Sequence, residues 1–342
     1  MPDVIIHRQG AAGRITLKRP QALHALNEEM CLAMDAALKL WEDDPEVELV
    51  VVDHAAGTRG FCAGGDIRML AESGAADGSA AQAFFRAEYR LNTRIKNYPK
   101  PYVAFLDGVT MGGGVGISVH GSHRVATERT NFAMPERGIG LFPDVGGGWF
   151  LPRLGPPLGM WLALTGERLK GGDVCAAGVA THYAESSVVE VVKNAVCEGQ
   201  VDMLNAMDLD EAGSFDKHLS VIERCFWKET VDDIFAALEA EKGDWAKTQL
   251  AGLRTKSPQT LKVAHRQLRR GLDMKTFEDN MRMEFRIACR VVHRHDFQEG
   301  VRAVIVEKDN KPNWNPATLA GVTNEMLNDI FAPLGEGELT FD

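Results

Sequence analysis

Twice in the first 120 residues an apolar run leads into a cluster of glycines. Leu49-Val50-Val51-Val52 precedes Arg59-Gly60-Phe61-Cys62-Ala63-Gly64-Gly65-Asp66-Ile67. Pro101-Tyr102-Val103-Ala104-Phe105-Leu106 precedes Gly108-Val109-Thr110-Met111-Gly112-Gly113-Gly114-Val115-Gly116-Ile117-Ser118. Short uninterrupted apolar runs read as buried strands. Asp66 can cap a helix running through Ile67, Met69 and Leu70. Each segment therefore reads as strand, glycine turn, helix start. Up to about residue 185 strands and helical stretches alternate. They include a hairpin formed by Val4-Ile5-Ile6-His7 and Gly13-Arg14-Ile15-Thr16-Leu17, and a helix near 28–42 that starts at Asn27-Glu28-Glu29. That alternation predicts an α/β core. Beyond it only helices are expected, at 187–198, 216–226, 230–241, 257–271, 273–291 and 295–305. Ser257-Pro258 supplies a cap and a first-turn proline. The expected division is 1–185 and 186–342, with residues 333–342 loosely held.

Glycine turns of this kind leave backbone N–H groups unpaired. Two that converge on one carbonyl oxygen would make an oxyanion hole, although most paired glycines merely permit tight turns. A third segment adds chemistry. Met134-Pro135-Glu136-Arg137-Gly138-Ile139-Gly140-Leu141-Phe142-Pro143-Asp144-Val145 places two carboxylates eight residues apart among apolar residues. Only Arg137 is a nearby opposite charge in sequence. Carboxylates in apolar surroundings have shifted acidity and serve as acid, base or nucleophile. The plain alternative is a surface loop with two solvated acids.

Four motifs carry a family resemblance: FCAGGD at 61–66, KPYVAFLDGVTMGGGVGISVHGSHRVATE at 100–128, FAMPERGIGLFPDVGGGWFLPRLG at 132–155 and LALTGERLKGGDVCAAGVATHY at 162–183. The chain resembles the enoyl-CoA hydratase/isomerase (crotonase) superfamily, and within it the hydroxyacyl-CoA hydrolase branch. The resemblance implies an α/β spiral of ββα units over 1–185, carrying the acyl-CoA site, followed by a helical C-terminal region. It assigns the oxyanion N–H groups to Gly65 and Gly113, and the catalytic carboxylates to Glu136 and Asp144. Glu136 would attack the thioester carbonyl or deliver water to it, and Asp144 would manage a proton. Hydratases of the family carry a second glutamate where this chain has Gly116, and glycine where it has Asp144. The implied reaction is hydrolysis of a short 3-hydroxyacyl-CoA, 3-hydroxyisobutyryl-CoA first. Glu88 would bind the 3-hydroxyl, whereas periodicity alone makes it part of a solvated helix face. Ala22, His24, Ala63, Asp66 and Ile67 are the implied contacts to CoA. No cofactor is expected, since CoA belongs to the substrate, and no metal. A homo-oligomer, trimer or hexamer as in the superfamily, is the implied assembly. The enzymatic rival is an enoyl-CoA hydratase or isomerase. The non-enzymatic one is a CoA- or RNA-binding scaffold.

Composition narrows the field further. With 342 residues and a net charge of −10, the chain does not fit a generic nucleic-acid binder, which carries a basic patch. No run reaches the ~20 apolar residues of a membrane span. Its start reads as a hairpin rather than a signal or transit segment, so a cytoplasmic enzyme is expected. The six cysteines, Cys31, Cys62, Cys175, Cys197, Cys225 and Cys289, have neither metal-ligand nor disulfide-scaffold spacing. Cys62 beside the first glycine turn is expected to be a small buried residue rather than a nucleophile. His293-Arg294-His295-Asp296 reads as a charged helix end, because residues two apart do not share a helix face. His120 and His123 are expected to make structural hydrogen bonds. The glycines fit neither a P-loop nor a dinucleotide fingerprint.

Overall fold

The computed structural model describes residues 2–209 and 211–341. Among the described residues there are ten strands: β1 Val4–Gln9, β2 Ala12–Leu17, β3 Leu49–His54, β4 Gly60–Cys62, β5 Tyr102–Leu106, β6 Val109–Met111, β7 His123–Ala126, β8 Asn131–Ala133, β9 Leu169–Lys170 and β10 His182–Tyr183. They form a six-stranded sheet, β1-β2-β3-β5-β7-β10, and a four-stranded sheet, β4-β6-β8-β9. The β1/β2 hairpin and the β8/β9 pair are antiparallel, and the remaining pairs are parallel. Three successive chain segments repeat one step. The first strand of each pair (β3, β5, β7) joins the large sheet and the second (β4, β6, β8) joins the small one. A helical segment follows each time, at Ile67–Ala75, Gly113–Gly116 and Glu136–Ile139. Parallel pairing demands such crossovers, and the result is the expected spiral of ββα units.

By contact density the chain divides into two units: Met1–Gly65 with Ala87–Ala133 and Arg168–Ser214, and Asp66–Arg86 with Met134–Glu167 and Phe215–Asp342. This differs from a single cut at residue 185, because packing rather than chain order decides where 66–86 and 134–167 are counted. All ten strands lie in the first unit. Buried parallel strands read as near-continuous apolar runs: all five residues of β5 are buried, as are the first five of β3. Alternate side chains Leu49, Val51, Val103 and Phe105 cluster with Val125, and Val189, Val192 and Val196 of the helix Val189–Cys197 join them.

In the same unit Asp53 is sealed from solvent between two cations. It accepts from Arg14 Nη2 at 2.5 Å and Thr16 Oγ1 at 2.6 Å, and lies 2.9 Å from Lys193 Nζ. Burial alone would raise its pKa, but Lys193, Thr16 and Arg14 together hold it below the ordinary carboxylate range. A depressed carboxylate pKa adds stability above its unfolded value, and that stability is lost as pH falls through the folded one. Asp53→Ala should cost about 3–5 kcal/mol, since it strands buried positive charge. Urea unfolding at neutral pH measures this, and the difference from the parent should shrink in acid.

The second unit is helical. Its segments include Gly147–Arg153, Pro156–Thr165, Leu219–Phe226, Val231–Ala240, Asp244–Leu253, Pro258–Asp273, Phe277–Val291, His295–Val301 and Asn324–Phe331. Among the described residues no strand follows Tyr183. Caps set several starts: Ser257 Oγ accepts from Thr260 N at 3.0 Å, and Thr230 with Asp233 forms a capping box. Two helices, Asp244–Leu253 and Asn324–Phe331, were not expected from sequence. The tail is not loose over residues 333–341; Asp342 lies outside the described residues. Arg86 donates to the carbonyls of Gly337 and Glu338, Arg286 pairs with the Glu338 carboxylate at 2.8 Å, and Leu339 is buried. Two arginines thus anchor a segment whose own composition carries no structural signal. No helix among the described residues is long and apolar enough to cross a membrane.

Candidate active site

In the first unit the two glycine turns meet. Leu26 N donates to Gly64 O at 2.7 Å and Ala63 N to Leu23 O at 3.0 Å, so the N-terminal loop fixes the first turn. In the second, Gly112 has φ +48° and its carbonyl accepts from both Val115 N and Gly116 N. Among the described residues neither Gly65 N–H nor Gly113 N–H donates to a backbone carbonyl. A Cβ at Gly113 would stand 2.5 Å from Glu88 Oε1 and 3.3 Å from the Gly64 carbonyl carbon. A side chain at Gly113 would therefore have to displace the Glu88 carboxylate and press on Leu26 and the first turn. The two turns and the Glu88 carboxylate thus lie side by side, and backbone N–H groups exposed at such turns are able to polarise a carbonyl oxygen.

Glu88 sits on the helix Ser79–Lys96 and is 2% exposed. Its position on a charged amphipathic helix had suggested a solvated face, but the face is turned inward at this residue. Asn92, one turn later, is equally buried, and neither its Oδ1 nor its Nδ2 has a hydrogen-bond partner. Gly116 is buried on the helix Gly113–Gly116.

The residues named for CoA contact are less alike. Ala22 and Ala63 are half-buried. His24 is fully buried and its ring is spent: Nδ1 accepts from Arg19 N at 2.9 Å, and Nε2 pairs with Thr58 Oγ1 at 2.9 Å. Burial and neighbouring His54 push its pKa down to about 4, so the ring stays neutral. A CoA contact through this ring would have to break one of those bonds. Asp66 caps the helix Ile67–Ala75 by accepting from Met69 N at 3.4 Å. Cys62 is buried, its Sγ donates to His24 O at 3.2 Å, and burial pushes its pKa to about 12, the behaviour of a packing residue. His123 bonds Ser122 Oγ and stacks on His182.

In the second unit Glu136 opens a short 3₁₀ turn, Glu136–Ile139, which Gly140 closes in the left-handed region. Leu141 N returns to Glu136 O at 3.0 Å. The Glu136 side chain is 5% exposed and its Oε2 has no hydrogen-bond partner. Burial, then the charge of Asp144, raises its pKa well above the usual carboxylate range, against a smaller pull from Arg137. Asp144 is likewise 5% exposed. The solvated-loop reading of these two acids therefore fails. Arg137 is pressed by burial down to about 10. A carboxylate raised above its ordinary range, with an open oxygen and a second acid beside it, is suited to take up and return a proton.

The cluster His293 to Asp296 is structural. His293 Nδ1 pairs with Gly74 O at 2.8 Å, His295 Nε2 with Asn313 O at 2.8 Å, and Asp296 accepts from Asn315 N at 2.7 Å and from Ser257 Oγ. Sequence reasoning missed a buried polar set around the Asp144 loop: Gln267, Asn280 and Glu284. The signal was available. Asn280 and Glu284 fall on the same face as Phe277, Met281 and Ala288 of one helix, so polar groups interrupt an apolar stripe.

The chain belongs to the enoyl-CoA hydratase/isomerase family, whose profile matches residues 12–331. Among curated proteins it is 46% identical to the mitochondrial 3-hydroxyisobutyryl-CoA hydrolase of Mus musculus, over 99% of this chain and 91% of that one. It is 44% identical to the protein of the same name from Homo sapiens, again over 99% and 91%. Two solved structures are similar throughout. A carnitinyl-CoA dehydratase from Mycobacterium thermoresistibile has TM-score 0.95 and 40% identity, covering 100% of this chain and 99% of that one. An enoyl-CoA hydratase from Rhodobacter sphaeroides 2.4.1 has TM-score 0.93 and 40% identity, covering 99% and 100%. The cytoplasmic placement expected from sequence is corrected by the curated relatives, which are mitochondrial enzymes.

Proposed function

We propose that this protein hydrolyses 3-hydroxyisobutyryl-CoA to 3-hydroxyisobutyrate and free CoA, a step of valine breakdown. The curated relatives named for that reaction support the substrate. The observation that carries the chemistry is a buried Glu136 coupled to Asp144, in a chain whose second hydratase position is Gly116. The N–H groups of Gly65 and Gly113 take the thioester oxygen as negative charge develops on it. Losing one such donor typically costs roughly 3–4 kcal/mol of barrier stabilisation. Glu136 either attacks the carbonyl carbon, giving an anhydride that water opens, or removes a proton from the attacking water. In both routes a C–O bond forms, the C–S bond breaks, and Asp144 handles the proton that ends on the leaving sulfur. Glu88 accepts from the 3-hydroxyl. Ala22, Ala63, Asp66 and Ile67 line the CoA arm through backbone groups, while the His24 ring supports the loop behind them. Assembly as a trimer or hexamer goes with this reading and is measured by sedimentation.

The second reading is hydration of an enoyl-CoA, after the name of one similar structure, with the other named for the dehydration of an acyl-CoA. Gly116 offers no side chain to move a proton, which favours hydrolysis. One experiment separates them. With 3-hydroxyisobutyryl-CoA the protein should release thiol rapidly, and with crotonyl-CoA the double-bond absorbance should persist. Fast loss of that absorbance without thiol release would reverse the assignment.

A further inference from the structure

The loop that carries Asp144 is held by a buried acid of its own. Glu284, on the helix Phe277–Val291, is wholly enclosed. Its Oε2 accepts from Gly146 N at 2.7 Å, and its Oε1 accepts from Gly148 N, Gln267 Nε2 and Asn280 Nδ2, each at 2.9 Å. All four are neutral N–H donors. Gln267 Nε2 also donates to Pro143 O at 2.7 Å. The loop is therefore gripped on both sides of Asp144, at Pro143 and at Gly146 and Gly148.

The grip has work to oppose. Val145, a β-branched residue, is held at φ +50°, a conformation such residues avoid. Gly148 admits the clamp only because it lacks a side chain: a Cβ there would lie 2.6 Å from Asn280 Oδ1. The amides of Gln267 and Asn280 turn their N–H groups toward Glu284 and leave both Oε1 and Oδ1 without partners. That orientation suits an anion. Burial nevertheless pushes Glu284 to about 7, the donors Gly146, Gly148 and Asn280 pull the other way, and the charge of Asp144 adds to the rise.

We infer that Glu284 is a positioning residue for hydrolysis, which fixes the backbone of residues 143–148 and thereby the aim of Asp144, with Gln267 and Asn280 as its supports. The inference rests on the proposed role of Asp144. A buried carboxylate that accepts two N–H groups just after a strained turn, while its partner Gln267 holds the Pro143 carbonyl before it, does more for that turn than packing does. An amide at the same place cannot replace it, because its NH₂ would face N–H donors whichever way it turned.

Glu284→Gln tests this with little change of volume. Its kcat for thiol release should fall about 10- to 100-fold, as for a misplaced reacting group, with KM within about threefold of the parent. Placed on Asp144→Asn, the same change should cause no further loss of kcat, because the two act as one unit. Gln267→Met, which keeps the helix and loses the donor to Pro143 O, should lower kcat in the same way by a smaller factor. It supplies the readout if Glu284→Gln does not fold. Parent-like kcat in a folded Glu284→Gln, or losses that simply multiply in the double variant, would overturn the inference. Parent-like kcat in Gln267→Met overturns it where that variant is the readout. An Asp144→Asn variant as active as the parent would overturn the reading of Asp144 and this inference together. A parent-like Glu284→Gln beside an inactive Asp144→Asn would overturn the anchor alone.

Discussion

Glu136→Gln is expected to lower thioester hydrolysis by about 10³-fold while leaving CoA affinity within about threefold. The amide matches the carboxylate in shape, so the 3₁₀ turn from Glu136 to Ile139 and its return bond from Leu141 should survive. What is lost is the ability to attack a carbonyl or remove a proton. The wild-type side chain is buried, and Glu136 Oε2 is left without a hydrogen-bond partner, so the change costs the fold little at that atom. Removing the charge should also relieve the repulsion with Asp144, which adds to burial in raising Glu136 above its ordinary range. The parent's acid limb in kcat/KM should accordingly lie above the usual carboxylate pKa. Near-parental turnover in the variant would show that some other group attacks or activates the water. The measurements are single-turnover thiol release and CoA affinity by calorimetry.

Much of the first unit was readable because its signals are local. The run of Val50 to Val52 and the run of Tyr102 to Leu106 are apolar without interruption, as strands buried on both faces must be. Asn27 caps the helix whose start it was expected to mark, and in the second unit Asp66 and Ser257 cap the helices they were expected to cap. What could not be read depends on partners far away in sequence. Glu88 is one acid among several charges on an amphipathic helix, and only its packing beside Gly113 makes it a buried group. The segment 333–341 looks like a free tail, yet Arg86 and Arg286 hold it. Glu284 was passed over because a helix rich in charge hides one inward-facing acid until the helix phase is worked out. The pairing of Glu136 with Asp144 was visible as a motif, whereas the loop beneath it, closed by residues more than a hundred positions downstream, was not.

Asp144→Gly should reduce kcat for thiol release by about 10²-fold or more, the scale of a lost acid–base group, with a much smaller change in KM. Glycine is what hydratases of the family carry at this position, so the substitution asks whether one acid separates the two chemistries. The backbone should tolerate it: Gly147 N bonds to Asp144 O, a main-chain contact that glycine keeps, and the clamp from Gln267 and Glu284 grips Pro143, Gly146 and Gly148 rather than the Asp144 side chain. The deleted carboxylate also contributes to the raised pKa of Glu136 and Glu284. Both should therefore ionise more readily in the variant, and the acid limb of any remaining activity should move to lower pH. A loss confined to kcat marks an interaction made mainly in the transition state. Adding Gly116→Glu should not create an efficient hydratase, because that carboxylate would be introduced on a short helix that is buried throughout and would lose hydration without a built partner. Hydration of crotonyl-CoA by the double variant, followed by absorbance, checks that expectation. An Asp144→Gly enzyme that hydrolyses as fast as the parent would remove the main chemical reason for preferring hydrolysis over hydration on this fold.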